Sequence, residues 1–200
     1  MQEVSQARAR GVDTRERLLS AAGEAFASRG FHATTTRDIA ATAGMSPAAV
    51  YVHHQSKEEL LYLIALEGHQ QTLALVTRAI SEHTEPAEQL RTAVRAYVTF
   101  HVEEHAIARV INYELVSLTD EHRREIDALR RAIRHKVQSV VVRGVADGSF
   151  DTPDPKMAAM AILSLGIDIA RWHRVEASWP ARRIVAFYTD LALRIVGRTS

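Results

Sequence analysis

Three groups of side chains in this 200-residue chain could do chemistry. The first runs from Thr35 to Lys57. Thr35, Ser46 and Ser56 each stand where a helix can begin, and the unpaired amides of a helix start attract anions. Thr36, Arg37, Tyr51 and Lys57 lie beside those starts and add hydroxyl and cationic donors, a set suited to phosphate oxygens. The second group is His101-Val102-Glu103-Glu104-His105, which fits the H-x-x-E-H pattern of one class of zinc peptidase. On a continuous helix His101 and His105 face one way, as a metal pair must, with Glu104 as general base and a third ligand from Glu114, His122, His135 or His173. Solvated or pocket-lining histidines explain so short a match more simply in a chain with 10 His. The third group is Tyr97, Phe100 and His101, then Ile107, Ile111, Asn112 and Tyr113, then Met157, Met160, Leu165, Asp168 and Trp172. Large apolar groups with a few polar ones can line a small-molecule cavity, although most such residues are core.

The elements that must position these residues are helices. Only 9 Gly and 5 Pro are present, and apolar residues recur at three and four, so the predicted fold is all-α with about nine helices. The first opens at Asp13, with Glu16 completing a capping box, carries Leu18, Leu19, Ala22 and Phe26 on one face, and ends at Gly30, with residues 1–12 frayed. A second, short helix runs from Thr35, with Asp38 in its first turn, to Gly44. Ser46 caps a third with Pro47 at its first position, breaking near His54-Gln55. Ser56-Lys57-Glu58-Glu59 is another capping box, launching a fourth helix to about Glu82. Five more are expected over about Ala87–Glu104, Ile107–Leu118, Asp120–Asp147, Pro155–Val175 and Pro180–Val196.

Two short helices joined by a Gly-led turn describe a helix-turn-helix, whose second helix can lie in the major groove of DNA. Ile39 and Ala40 can pack beneath Val50, and Ala43, Ala48 and Ala49 are small enough for a close crossing. Residues 1–57 are therefore expected to be a DNA-binding domain, and residues 58–200 a helical body for ligand binding and dimerisation. In that body, Glu121 to Arg134 wraps Arg123, Arg124, Arg130, Arg131 and Arg134 around one helix. This is a solvated, ion-paired face or, alternatively, a site for an anionic ligand such as the phosphates of a coenzyme A thioester. The last two helices carry Ala159, Ile162, Leu163, Gly166, Ile167 and Ala170, then Ile184, Phe187, Tyr188, Leu191, Leu193, Ile195 and Val196. That is more apolar surface than two terminal helices readily hide, so a homodimer through them is expected.

Composition removes other classes. Without Cys there is no disulfide framework, Cys-based zinc site or cysteine nucleophile. The most apolar stretch, Met157 to Ile167, stops at Asp168, short of the ~20 residues that cross a bilayer. Glu3, Arg8, Arg10, Asp13 and Arg15 are incompatible with a secretory signal, so no membrane association and a cytoplasmic address are expected. A net charge of +1 argues against coating nucleic acid indiscriminately and puts the weight on a local patch.

Thr34-Thr35-Thr36-Arg37-Asp38-Ile39-Ala40, Ala43-Gly44-Met45-Ser46-Pro47-Ala48-Ala49-Val50-Tyr51 and Ser56-Lys57-Glu58-Glu59-Leu60 together resemble the N-terminal domain of TetR-family transcriptional regulators, in order and spacing, over about Thr14 to Leu66. The resemblance implies a three-helix DNA-binding head, a helical ligand-binding body, a dimer through the last two helices, and repression of a palindromic operator relieved by a small molecule rather than catalysis. By position, it places the family's phosphate-contacting tyrosine on Tyr51, its lysine on Lys57, and its base and backbone readers on Ser46, Pro47, Ala48, Ala49 and His53. His54 and Gln55 stand where the family usually has Phe and often Pro. Pro47-Ala48-Ala49 offers no long polar reader, which shifts recognition towards thymine methyls, His53 and DNA shape. The later segments Ile111-Asn112-Tyr113-Glu114-Leu115 and Asp168-Ile169-Ala170-Arg171-Trp172 resemble family members that govern fatty-acid, steroid or other acyl-coenzyme A catabolism, implying an apolar or acyl-coenzyme A effector and no cofactor.

Overall fold

The computed structural model describes residues 2–173 and 179–197, with side chains from Thr14 onward. It is all helical, with nine α-helices and no strand among the described residues: α1 (Gln2–Arg29), α2 (Thr36–Thr42), α3 (Pro47–His53), α4 (Lys57–Ser81), α5 (Pro86–Glu103), α6 (His105–Tyr113), α7 (Asp120–Ala146), α8 (Pro155–Trp172) and α9 (Ala181–Ile195).

Local chemistry sets most of these boundaries. Thr35 and Asp38 form a reciprocal capping box at the start of α2. At its end the Met45 amide bonds the Ala40 carbonyl at 2.8 Å and the Gly44 amide bonds that of Ala41 at 3.1 Å. This is a Schellman cap, and Gly44 sits at φ +67° within it, a conformation that costs an L-residue about 1–2 kcal/mol. Arg17 reaches from α1 to the Ala43 carbonyl at 3.0 Å, fixing the same turn to the first helix. Ser56 accepts from the Glu59 amide at the start of α4, and Asp154 from the Met157 amide at the start of α8.

Four expectations need correction. The first helix begins at Gln2, so Asp13 is an interior position of α1 rather than its cap. Ser46 occupies the N-cap of α3 with extended backbone, but its hydroxyl makes no capping bond. The Glu59 carboxylate accepts from the Gln55 amide instead of the Ser56 amide, so the box at α4 is closed one residue early. The sixth helix starts at His105 and stops at Tyr113, where a 3-10 turn, Leu115–Ser117, replaces the expected last turn. Val175, the expected end of the eighth helix, lies outside the described residues.

Two apolar cores form. Leu18, Ala22 and Phe26 of α1 pack with Ile39 and Ala40 of α2, Val50 of α3, and Leu60, Leu61, Ile64 and Ala65 of α4. Val110 and Ile111 of α6 and Ile126 of α7 join this head core. The second core gathers Val76 and Ala79 of α4 with Leu90, Val94 and Val98 of α5, Ile133, Val137 and Val140 of α7, Ile162 and Ile169 of α8, and Ile184 and Leu193 of α9. Helix α4 thus belongs to both. Helix α9 packs chiefly on α5, so much of the apolar face expected to meet a second copy is turned inward. Ile162, Leu163, Ile184, Leu193 and Val196 are buried within the single chain, leaving Met157, Met160, Leu165 and Phe187 exposed on α8 and α9.

Candidate nucleic-acid interface and ligand cavity

On α3 the exposed residues are Pro47, Ala48, Tyr51 and Val52, the i, i+1, i+4, i+5 pattern of one helical face. The inward positions pack as the apolar spacing requires: Val50 is fully buried, Ala43 is buried, and Ala49 and His53 are half-buried. Ala48 faces outward and takes no part in the helix crossing expected of it. Tyr51 is 60% exposed, and its hydroxyl meets the Thr36 hydroxyl at 3.1 Å. That bond ties the outer faces of α2 and α3 together, with Thr35 and Arg37 exposed beside it and Ser46 exposed at the turn. Val52, 77% exposed, went unnoticed in the sequence because an apolar residue in a short helix reads as core; only the observed face sets it beside Tyr51.

Lys57 has an internal role. Its ammonium donates to the Phe31 carbonyl at 2.8 Å and the Thr34 carbonyl at 2.7 Å, and lies 4.2 Å from the centre of the Phe31 ring. An ammonium has three protons, so one N–H is left for an outside acceptor. His54 fills the hydrophobic anchoring position after α3. It is 2% exposed, neither ring nitrogen has a hydrogen-bond partner, and burial lowers its pKa. The ring acts there as a neutral wedge.

In the body a cavity of about 340 Å³ opens between α4, α5, α6, α7 and α8. Of the expected ligand residues, Tyr97, His101, Ile111, Asn112 and Met160 line it. Phe100 and Ile107 do not: they face a surface groove shared with α1. Trp172 stacks edge-on against Trp179, with ring centres 6.0 Å apart, outside the cavity. Asp168 is no buried polar group either, because its carboxylate pairs with Arg171 at 2.8 Å on the surface and accepts from the Tyr113 hydroxyl at 3.3 Å. His69 and Thr72 of α4, Arg130, Arg131 and Arg134 of α7 and, at an exposed position, Ser164 of α8 add further polar groups to the lining.

The arginine-rich helix therefore divides. Arg123 pairs with Asp127 at 3.9 Å, as a solvated face would. Arg130, Arg131 and Arg134 face the cavity with Asp127 as the single carboxylate in the lining, and the buried Nε–H of Arg134 has no partner. A buried guanidinium N–H without an acceptor is costly, so the site favours an anion.

The H-x-x-E-H pattern does not form a metal pair. Helix α5 ends at Glu103, Glu104 takes a non-helical φ of −100° and ψ of 32°, and α6 begins at His105. This break removes the shared face that i,i+4 spacing gives. His101 turns into the cavity with Nδ1 on the Tyr97 carbonyl at 2.8 Å, Glu104 is exposed, and His105 packs edge-on against His173. No group of three metal-ligating side chains occurs among the described residues.

Two family models account for most of the chain: residues 18–63 match that for bacterial regulatory proteins of the tetR family, and residues 83–196 that for the tetracyclin repressor-like C-terminal domain. The chain belongs to the TetR family. It is a helix-turn-helix transcriptional regulator and not an enzyme. This TetR-family chain is similar to a crystal structure of a tetR-family regulatory protein from Rhodococcus RHA1, with 44% identity and a TM-score of 0.89 over 94% of this chain and 98% of that one. It is 32% identical to the HTH-type transcriptional repressor KstR2 of Mycolicibacterium smegmatis over 68% of this chain and 67% of the relative. The structure of AibR in complex with isovaleryl coenzyme A and operator DNA shares the fold at 23% identity and a TM-score of 0.82, covering 89% of this chain and 97% of that one. No helix among the described residues is long and apolar enough to cross a membrane.

The cavity makes a pH prediction. Burial lowers the pKa of His69 and His101 from 6.5 to about 4. Arg130 pushes His69 the same way, while the backbone carbonyls of Ala65 and Tyr97 and the carboxylate of Asp127 resist. As pH falls below 6.5 the unfolded chain takes up protons that the folded one refuses, so stability is full above that pH and lost towards pH 4. Urea unfolding at about pH 7.5 and about pH 5 should differ by on the order of 2 kcal/mol per histidine. Equal stability at the two pH values would mean that both rings protonate in place.

Proposed function

We propose that the chain is a homodimeric repressor that holds a palindromic operator and releases it when an amphiphilic thioester of the acyl-coenzyme A kind enters the cavity. The observation that carries this reading is the path of α4: it starts beside α3 and its middle, at His69 and Thr72, lines the cavity. The protein works in the cytoplasm on double-stranded DNA, with residues 1–57 as the reading domain and residues 58–200 as the sensing and pairing body.

In the DNA-bound state α3 lies in the major groove. Pro47, Ala48, Ala49 and Val52 offer only apolar contact, suited to thymine methyls, while His53 reads from the edge. Thr35, Thr36, Arg37, Ser46 and Tyr51 hold backbone phosphates, and the third N–H of Lys57 adds one more. Leu165 and Phe187 mark the pairing face on α8 and α9, and two-fold symmetry sets two heads on half-sites about 34–36 Å apart or a multiple of that.

Size and charge support the effector class. At about 30 Å³ per water-sized group, the cavity takes on the order of ten heavy atoms, enough for a short or medium acyl chain but not for a coenzyme. The coenzyme phosphates then lie outside, over Arg130, Arg131 and Arg134, which is how the arginine surplus is satisfied. A structural neighbour of the same fold, AibR, has been solved in complex with isovaleryl coenzyme A and operator DNA.

Fluorescence anisotropy on fragments from the chain's own upstream region tests the DNA face. Tyr51→Phe should weaken binding, and Lys57→Ala should lower the slope of log affinity against log salt by about one. An unaltered slope would take Lys57 out of the phosphate set. In the same assay octanoyl-coenzyme A should release DNA where free coenzyme A does not, and Arg134→Ala should weaken that response about tenfold with operator affinity unchanged. Indifference to every thioester would end the acyl-coenzyme A reading. Phe187→Arg should yield a monomer by analytical ultracentrifugation and abolish operator binding, and a persistent dimer would move the interface elsewhere.

A further inference from the structure

Four polar residues in the cavity share one habit. His69 Nδ1 sits 2.8 Å from the Ala65 carbonyl, Thr72 Oγ1 2.8 Å from that of Gly68, His101 Nδ1 2.8 Å from that of Tyr97, and Asn112 Nδ2 2.8 Å from that of Ala108. In every case the partner is the backbone carbonyl four residues earlier on the same helix. A carbonyl oxygen only accepts, so each side chain must be the donor.

The consequence is a fixed polarity inside the cavity. An imidazole whose Nδ1 carries the proton has a bare lone pair at Nε2, provided it is neutral, and burial keeps both rings neutral. Thr72 has given its only proton away. Asn112 keeps its carbonyl oxygen and one N–H. Three helices, α4, α5 and α6, therefore present His69 Nε2, His101 Nε2, Thr72 Oγ1 and Asn112 Oδ1 to one space as acceptors. His101, His69 and Thr72 are the deep part of the lining, at 1%, 4% and 5% exposed, whereas Asn112, Arg130 and Arg134 are half-buried and Arg131 is exposed.

We propose that the part of the effector held inside the cavity carries a hydroxyl group, so that the ligand class is hydroxylated acyl thioesters rather than plain hydrocarbon ones. The proposal rests on the cavity being the effector site and sharpens that reading. A saturated chain leaves the acceptors unpaired, which is costly in a desolvated space. A ketone or ester oxygen can accept from Asn112 or Tyr97 but leaves both imidazole lone pairs without a donor. An ammonium has the protons but meets the three arginines of the lining. A hydroxyl donates to an imidazole Nε2 and can accept from the remaining Asn112 N–H or from the Tyr97 phenol, which burial keeps protonated.

Isothermal titration of the full chain with octanoyl-coenzyme A, its 3-, 5- and 8-hydroxy isomers and the corresponding free acids tests this. At least one hydroxylated thioester should bind ten times more tightly than octanoyl-coenzyme A, and the same isomer should lead among the acids. His101→Phe should erase that preference, read as the ratio of hydroxylated to plain thioester affinity, and Thr72→Val, a closer match in shape, should reduce the ratio should the first variant fail to fold. Octanoyl-coenzyme A binding as well as or better than all its hydroxy isomers would overturn the proposal and leave the acyl-coenzyme A reading standing. A hydroxyl preference among the acids with no gain from the coenzyme would support the buried hydroxyl and overturn the thioester. No binding by any of these probes would overturn both.

Discussion

Everything in this molecule depends on α4 being one unbroken helix that is a member of two cores. Its 25 residues span about 37 Å, with Leu60, Leu61, Ile64 and Ala65 in the head core and Val76 and Ala79 in the body core. Between these anchors lie Gly68, His69 and Thr72. Gly68 has no side chain because Ile111 of α6 lies against it: a Cβ there would stand 2.7 Å from the Ile111 methyl. Ile111 itself belongs to the head core and also lines the cavity. The middle of α4 is therefore pressed between the sensing space and the head, and a rigid packed helix cannot change its pose at one end alone.

The cavity is shaped by the difference between groups that can reach water and groups that cannot. The arginines of α7 lie half-buried or exposed and carry their charge at the opening. His69, Thr72 and His101 have each given their one proton to a carbonyl of their own helix, which is what allows them to stay inside an apolar wall. Gly166 serves the same end from α8, since a Cβ there would come within 2.6 Å of the Tyr97 ring and drive it into the space. Polarity is graded across one site, cationic outside and accepting inside.

Much of this was legible in the chain because it is written in short-range chemistry. Thr35 with Asp38, Gly44 with its positive φ, Pro47 at the start of α3 and Asp154 at the start of α8 are local decisions, and the expected helices follow them. The start of α1 was not legible because Asp13 is a good cap wherever a helix happens to begin. The end of α5 was expected at about Glu104 and lies at Glu103; what the chain did not show is that α6 follows at once from His105, turning to pack on α1, where Arg109 bonds the Ala27 carbonyl. Phe100, Ile107, Asp168 and Trp172 carry the right chemistry for a pocket, but the rotation of each helix about its axis sets which of them looks inward. His69 and Thr72 were missed in turn because a polar residue midway along an apolar helix signals nothing until four other helices close around it.

A ligand bridging the arginines of α7 and the acceptors of α4 acts on two helices that are also clamped to each other near the head. Glu58, in the first turn of α4, accepts from the Thr119 amide at 2.8 Å and from His122 Nδ1 at 2.9 Å. One turn on, the Tyr62 ring stacks on His122 with centres 3.8 Å apart, and its hydroxyl donates to Glu125 at 2.6 Å, a bond that raises the phenol pKa to about 12. The start of α7 and the start of α4 therefore move as one piece, and α3 ends only a few residues before that piece begins. A shift of α7 towards an anion at its arginines would act on the first turn of α4, next to the end of α3. A difference of about 3 kcal/mol in how well the ligand fits the two poses of that clamp would change operator affinity on the order of 100-fold. The clamp is made of a carboxylate, an imidazole and a phenol on the protein surface, so the coupling does not need the cores to be rebuilt: rotation of two packed helices about a shared polar hinge is enough.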